Sequence, residues 1–256
     1  MNSSPSQGAE SVQQAIQQAL ALEREGKRDL AMQRYVGILA QDPNNLDALY
    51  QIALIALKEG QFAEGIKVIR RALEVGPPQA RLHNLLGHAH LRLNQDEEAL
   101  ASFERAIACD PGFADAYGNR ANVLADMGRL EDAVAGFDRA LTVRPNNAED
   151  ICNRASVLAD LGRLDEALAG YERALALMPD LAPAHFNRAD ILTKLARLPE
   201  ALASYDRALA IDPKFAAAHA NRGQVLAAMN RAVEARASFE RASKLDPKFA
   251  SLLQSD

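Results

Sequence analysis

Apolar positions recur along this chain with two nested periods. The short period is helical. Small or apolar side chains fall at i, i+4, i+7 in segment after segment, as in Leu49, Ala53, Ala56 and then Gly65, Ile69, Ala72, which is the spacing of one helix face. The long period is 34 residues and is marked by Pro43, Pro77, Pro111, Pro145, Pro179, Pro213 and Pro247. Placing each proline at position 32 gives seven repeats: 12–45, 46–79, 80–113, 114–147, 148–181, 182–215 and 216–249. Each repeat carries two helical stripes, at positions 4, 8, 11 and at positions 20, 24, 27. Between them, position 15 is Gly26, Gly60, Asn94, Gly128, Gly162, Ala196 or Asn230. Glycine and asparagine accept the left-handed conformation that ends a helix, so position 15 is predicted to be a stop. Ala196 is the exception, and a left-handed alanine there costs about 1 kcal/mol. The unit is therefore helix A over positions 1–14, a tight turn, and helix B over about 18–31, with proline closing B. Pro199 suits the first turn of its helix B, where no backbone donor is missed.

Position 8 is alanine or glycine in all seven repeats, position 20 is alanine except for Gly65, and position 27 is alanine except for Ile38. Position 24 is Tyr35, Ile69, Phe103, Phe137, Tyr171, Tyr205 and Phe239. Small residues let helix backbones approach, and the large residue at 24 fills the space beside them. These positions are read as packing. Acid–arginine pairs recur at positions 25 and 26, and Arg120, Arg154, Arg188 and Arg222 recur at position 7. They are expected to form ion pairs between repeats, worth roughly 0–1 kcal/mol each when exposed.

The pattern resembles the tetratricopeptide repeat, in which Gly or Ala at 8, Ala at 20, an aromatic at 24, Ala at 27 and Pro at 32 occupy a 34-residue helix-turn-helix. The stretches ADAYGNRANVLADMGRLEDAVAGFDRALTVRP and AEDICNRASVLADLGRLDEALAGYERALALMP match best, and position 4, often aromatic in the family, departs as Ala15, Leu49, His83, Tyr117, Ile151, His185 and His219. The resemblance implies an all-α α-solenoid, a right-handed superhelix of seven tandem repeats whose A helices line a concave groove. Residues 1–11 are expected to be a mobile tail ending in a capping box, Ser11-Val12-Gln13-Gln14, and residues 250–256 a stub in which Leu252 and Leu253 fold back. Arg236 and Ser243 replace apolar residues at positions 21 and 28, a polar face suited to the end of the array.

On helix A, positions 2, 6, 9 and 13 share the face opposite the packing stripe, which is expected to be exposed to the groove. Position 6 carries a ladder of Asn119, Asn153, Asn187 and Asn221. An asparagine amide pairs with both the N–H and the C=O of a peptide backbone. In the O-GlcNAc transferase and SPINDLY-like branch of the family a ladder at this position binds client peptide, and the resemblance carries that role to these four residues. Around them stand Asn122, Ser156, Asp190 and Gln224 at position 9, with Asp126 and Asp160 at position 13. Asp115 and Glu149 at position 2 make the middle of the groove acidic, complementary to a basic ligand segment.

The 256 residues are 48% apolar and 25% charged, with net charge −5, the composition of a folded soluble chain with no general attraction for nucleic acid or anionic membrane. The longest apolar run, residues 52–57, is far too short to span a bilayer, and no signal peptide is read at the N-terminus. The two cysteines, Cys109 and Cys152, have no metal-ligand spacing and imply no disulfide framework. His83, His88 and His90 are read as structural. No phosphate loop or nucleophile elbow occurs, and the carboxylate clamp of the family's chaperone-tail receptors is missing, with Ile16 and Leu20 at its positions. The expectation is a non-enzymatic, cytoplasmic, monomeric scaffold without cofactor that binds a partner protein segment, with weak self-association through its end repeats as a further outcome. The alternative is the substrate-recruiting region of a larger enzyme such as a SPINDLY-type glycosyltransferase.

Overall fold

The structure is a computed structural model that describes residues 6–253, with side chains from residue 12 onward. It is all-α: among the described residues there are fourteen α-helices, one 3-10 helix and no strand. The chain divides into two compact units, Met1–Val123 and Leu124–Asp256. The first holds α1 (Ser6–Arg24), α2 (Arg28–Gln41), α3 (Leu46–Lys58), α4 (Phe62–Val75), α5 (Ala80–Leu91), α6 (Asp96–Cys109) and most of α7 (Ala114–Asp126). The second holds α8 (Leu130–Val143), α9 (Ala148–Asp160), α10 (Leu164–Leu177), α11 (Ala182–Lys194), α12 (Leu198–Ile211), α13 (Ala216–Ala228), α14 (Ala232–Leu245) and a 3-10 helix, Pro247–Leu253. Within each unit the helices pack in tandem antiparallel pairs, and each pair packs on the next through its A helix.

The turns follow the predicted stops. All seven residues at position 15 have positive φ, from Gly60 at 77° to Ala196 at 56°. Helix B begins one residue earlier than expected, at position 17, and ends at position 30, where the next residue still closes one helical hydrogen bond, as Asp212 N–H does to the Ala208 carbonyl at 2.8 Å. Asn147 caps α9 by accepting from the Glu149 and Asp150 amides, and Asn45 caps α3 by accepting from Ala48. The first helix starts at Ser6, so Ser11 lies inside it and the capping-box reading is corrected. Gly8 alone costs too little, about 1 kcal/mol, to break that helix. Residues 1–5 of the expected tail lie outside the described residues. At the other end, Pro247–Leu253 winds as a 3-10 helix, and Leu252 and Leu253 line a cleft with Val233 and Phe239 of α14.

The core is a chain of small joints. Tyr35, Phe103, Phe137, Tyr171 and Tyr205, all at position 24, are at most 1% exposed. Their partners are small because the rings need the room: a Cβ on Gly87 would lie 2.5 Å from Phe103, and one on Gly223 2.4 Å from Phe239. The packing stripe of helix A is wider than the sequence pattern suggested. Positions 3 and 10 are also buried, as Ala116 and Val123, or Ala218 and Val225, because each A helix meets the helices of the preceding repeat as well as its own partner. Among the described residues no helix is long and apolar enough to cross a membrane.

Candidate peptide-binding face

The A helices α9, α11 and α13 are neighbours in the second unit, and the expected ladder runs along them as Asn153, Asn187 and Asn221. None of the three is fully exposed; each is half-buried in the seam between adjacent A helices. The reason is a hydrogen-bond relay across each joint. Asn221 donates to Asp190 Oδ1 at 2.9 Å, and the Tyr205 hydroxyl donates to the same oxygen. One joint earlier Tyr171 Oη and Ser156 Oγ are 2.7 Å apart, and the Asn187 amide also bonds the Tyr171 hydroxyl. The rule is positional: the tyrosine at 24 and the polar residue at 9 of one repeat receive the asparagine at 6 of the next.

Burial pushes the Tyr205 hydroxyl well above the ordinary tyrosine range, and acceptance by Asp190 pushes it further. Burial alone is the main cause of the smaller rise at Tyr171. Asp190 accepts from two donors, which fixes the Asn221 amide through its nitrogen. The Asn221 carbonyl oxygen takes no donor among the described residues. The acids on position 13, Asp126 and Asp160, are exposed, as are Glu149 and Gln224; Ser156 and Asp190 are half-buried.

Asn119 and Asn122 lie on the part of α7 that belongs to the first unit. The Asn119 amide nitrogen is 2.9 Å from Asn84 Oδ1 and 3.0 Å from His88 Nε2. His88 stands at position 9, with its ring edge-on to Phe103 at 5.6 Å, so this joint repeats the relay with an imidazole in place of an acid or hydroxyl. His90 is 4% exposed and its Nδ1 is 2.7 Å from Gln95 Oε1. Both histidines are held by the fold. Among the described residues no group of three or more His, Cys, Asp and Glu could hold a metal ion.

The tyrosine hydroxyls and their acceptors were missed by sequence reasoning, which treated position 24 as an apolar filler. The available signal was the choice of Tyr rather than Phe in repeats whose position 9 is Ser156 or Asp190. The recurring charges behave as expected: Arg120–Glu104 at 3.0 Å, Arg154–Asp138 at 2.7 Å, Arg188–Glu172 at 3.0 Å and Arg222–Asp206 at 2.6 Å tie position 7 to position 25 of the preceding repeat.

Comparison with known proteins agrees with this construction. Family models described as tetratricopeptide repeat match residues 16–80, 50–114, 114–147 and 216–249, and one described as TPR repeat matches 155–195 and 189–230. The chain is 30% identical over 92 residues to the Protein CTR9 homolog of Arabidopsis thaliana, a match covering 36% of this chain and 8% of that protein. It thus spans less than a tenth of that relative's length. The Pseudomonas aeruginosa pilF structure is similar with a TM-score of 0.73 at 20% identity, over 85% of this chain and 100% of that one. YrrB, described as a TPR protein with an unusual peptide-binding site, is similar with a TM-score of 0.62 at 24% identity, over 73% of this chain and 98% of that one. At such identities the likeness is one of fold.

Proposed function

Because this chain belongs to the tetratricopeptide-repeat family, we propose that it is a protein-binding scaffold that holds an extended segment of a partner along its A helices. The observation that carries this reading is the Asn221 amide, oriented by Asp190 with its carbonyl oxygen lacking a donor among the described residues. A peptide N–H is the natural donor, and Asn187 offers a second amide one repeat away. An amide already fixed by its neighbours loses little entropy when it binds, which favours affinity. The peptide-binding site named for YrrB supports the same use of a related fold.

The exposed acids set the sign of the partner. Asp126, Glu149 and Asp160 flank the ladder in the second unit, and all three are exposed where the amides between them are half-buried. A segment carrying Lys or Arg is therefore preferred over an acidic one, mainly through faster association and rejection of like charge. Catalysis has no part in the proposal.

Peptide arrays with matched basic, neutral and acidic extended sequences test it. The basic set is expected to bind the wild-type chain, and Asp126→Lys with Asp160→Lys is expected to weaken that binding roughly tenfold or more at low salt. Both positions are on the surface, so the melting temperature stays within a degree or two. Binding that is indifferent to peptide charge and to both substitutions would remove the A-helix face from consideration.

A further inference from the structure

Two clefts, one in each unit, are built from the same repeat positions. In the second unit Asp138, Ile151, Arg154 and Gly170 line a cleft of about 380 Å³. Arg154 occupies it and donates to Asp138 at 2.7 Å. The equivalent arginines reach one group further. Arg188 bonds Glu172 at 3.0 Å and Ser204 Oγ at 2.5 Å, and Arg222 bonds Asp206 and Ser238 Oγ, each at 2.6 Å. The guanidinium of position 7 thus sits between an acid at 25 of the preceding repeat and position 23 of its own.

The first unit holds the same cleft with the charges rearranged. Its lining has Arg70 where the acid stands, Leu86 where the arginine stands, and Ser102 at position 23, and its volume is about 500 Å³. Ser102 Oγ donates to the Glu98 carbonyl at 2.7 Å and receives no arginine. Two further donors lack the partners their counterparts have. His185 and His219, at position 4, place Nε2 at 2.9 and 3.2 Å from the preceding proline carbonyl. His83 makes no such bond, and its Nδ1 is buried without a partner. Of the arginines at position 26, Arg71 and Arg173 donate to a proline carbonyl, whereas among the described residues Arg105, like Arg139 and Arg241, has no hydrogen bond or ion pair, and neither has Arg70 of this cleft. The connection that would supply the carbonyl, Gly76-Pro77-Pro78-Gln79, is the one connection with two prolines.

We propose that this cleft is a binding site for an oxyanion, a carboxylate or phosphate group, received by Arg70, Arg105 and His83. Where the four later joints pair a guanidinium with an acid, this one leaves a larger space than the Arg154 cleft, with two arginines on its wall, and a complementary occupant has the opposite charge. Glu74 and Glu98 also line the cleft. They balance the two arginines, so recognition works through short directed hydrogen bonds rather than through general attraction, and it selects a single small anionic group. Burial and the nearby Arg105 hold the His83 pKa below its ordinary value, and an anion in the cleft reverses the second of these effects.

Nuclear magnetic resonance of the His83 ring tests the site in the full chain. Inorganic phosphate and acetate are titrated separately against sodium chloride of equal ionic strength. The His83 signals are expected to move saturably with at least one oxyanion, and the arm that moves them identifies the chemistry. Arg70→Glu combined with Leu86→Arg rebuilds the ion pair of the other joints and is expected to abolish the response while leaving the protein folded. Arg105→Gln, at an exposed position, is expected to weaken binding roughly tenfold. A wild-type titration without saturation in either arm overturns the proposal, and so does an unchanged response in both variants.

Discussion

Tyr205 shows how one hydroxyl links core and surface. Its ring is 1% exposed, while its oxygen donates to Asp190 on the half-buried seam between A helices. Tyr205→Phe leaves a half-buried carboxylate short of one donor and is expected to cost about 1 kcal/mol in denaturant unfolding. The pH dependence has a definite sign. An unfolded tyrosine ionises near pH 10, whereas Tyr205 in the fold keeps its proton to higher pH, because of burial and then Asp190. Stability from this group is complete below about pH 10 and is lost as pH rises above it. Unfolding measured across the alkaline range should fall less steeply in the phenylalanine variant. Ala196 presents the opposite case, a residue whose backbone is strained at φ 56°. Ala196→Gly relieves that strain and is expected to raise stability by up to about 1 kcal/mol, net of the flexibility glycine adds to the unfolded chain. At this scale the sequence was highly legible for the turns, since a left-handed stop depends on the residue at one position, glycine or asparagine in six repeats of seven. It was poorly legible for Tyr171 and Tyr205, because their hydrogen-bond partners lie 15 residues away and only the packed fold brings them together.

At the scale of the element, the helices follow from the two stripes of small and large residues, and their ends from local chemistry. Asn147 is the better example of a cap, accepting from two amides and donating to Asp150 Oδ2 at 2.6 Å. The equivalent residues Leu181 and Phe215 make no side-chain cap. Asn147→Ala should therefore cost about 1 kcal/mol, read as a lower midpoint in urea with an unchanged slope. The start of α1 and the burial of positions 3 and 10 were the misread features. Both have physical causes outside the local pattern: no residue between Ser6 and Ser11 stops a helix, and alanine at position 3 has no size or polarity that announces burial against the preceding repeat. The sequence put the asparagines of position 6 on a face expected to be exposed, and their partial burial was not foreseen, because that depends on the spacing of successive A helices.

For the whole molecule, stability is a sum over repeats and the joints between them, and a repeat at an end has one joint where an inner repeat has two. Amide hydrogen exchange should report this directly. In Leu124–Asp256 the slowest exchange is expected in α10 to α12, and the fastest in the 3-10 helix and α14, where Val233 is 85% exposed. Uniform protection through the unit would contradict the additive picture. The joints themselves are nearly interchangeable. Arg188 meets Glu172 and Ser204, and Arg222 meets Asp206 and Ser238, at the same 16-residue separation, with the serine bound through Nη1 in both. An in-frame loss of residues 182–215 would bring Arg222 to Glu172 and Asn221 to Tyr171, with the Ser156 hydroxyl standing where the Asp190 carboxylate stood. A gene encoding such a chain can gain or shed copies by unequal recombination without passing through an unfoldable intermediate, so the length of the array is free to drift toward the length of whatever it holds.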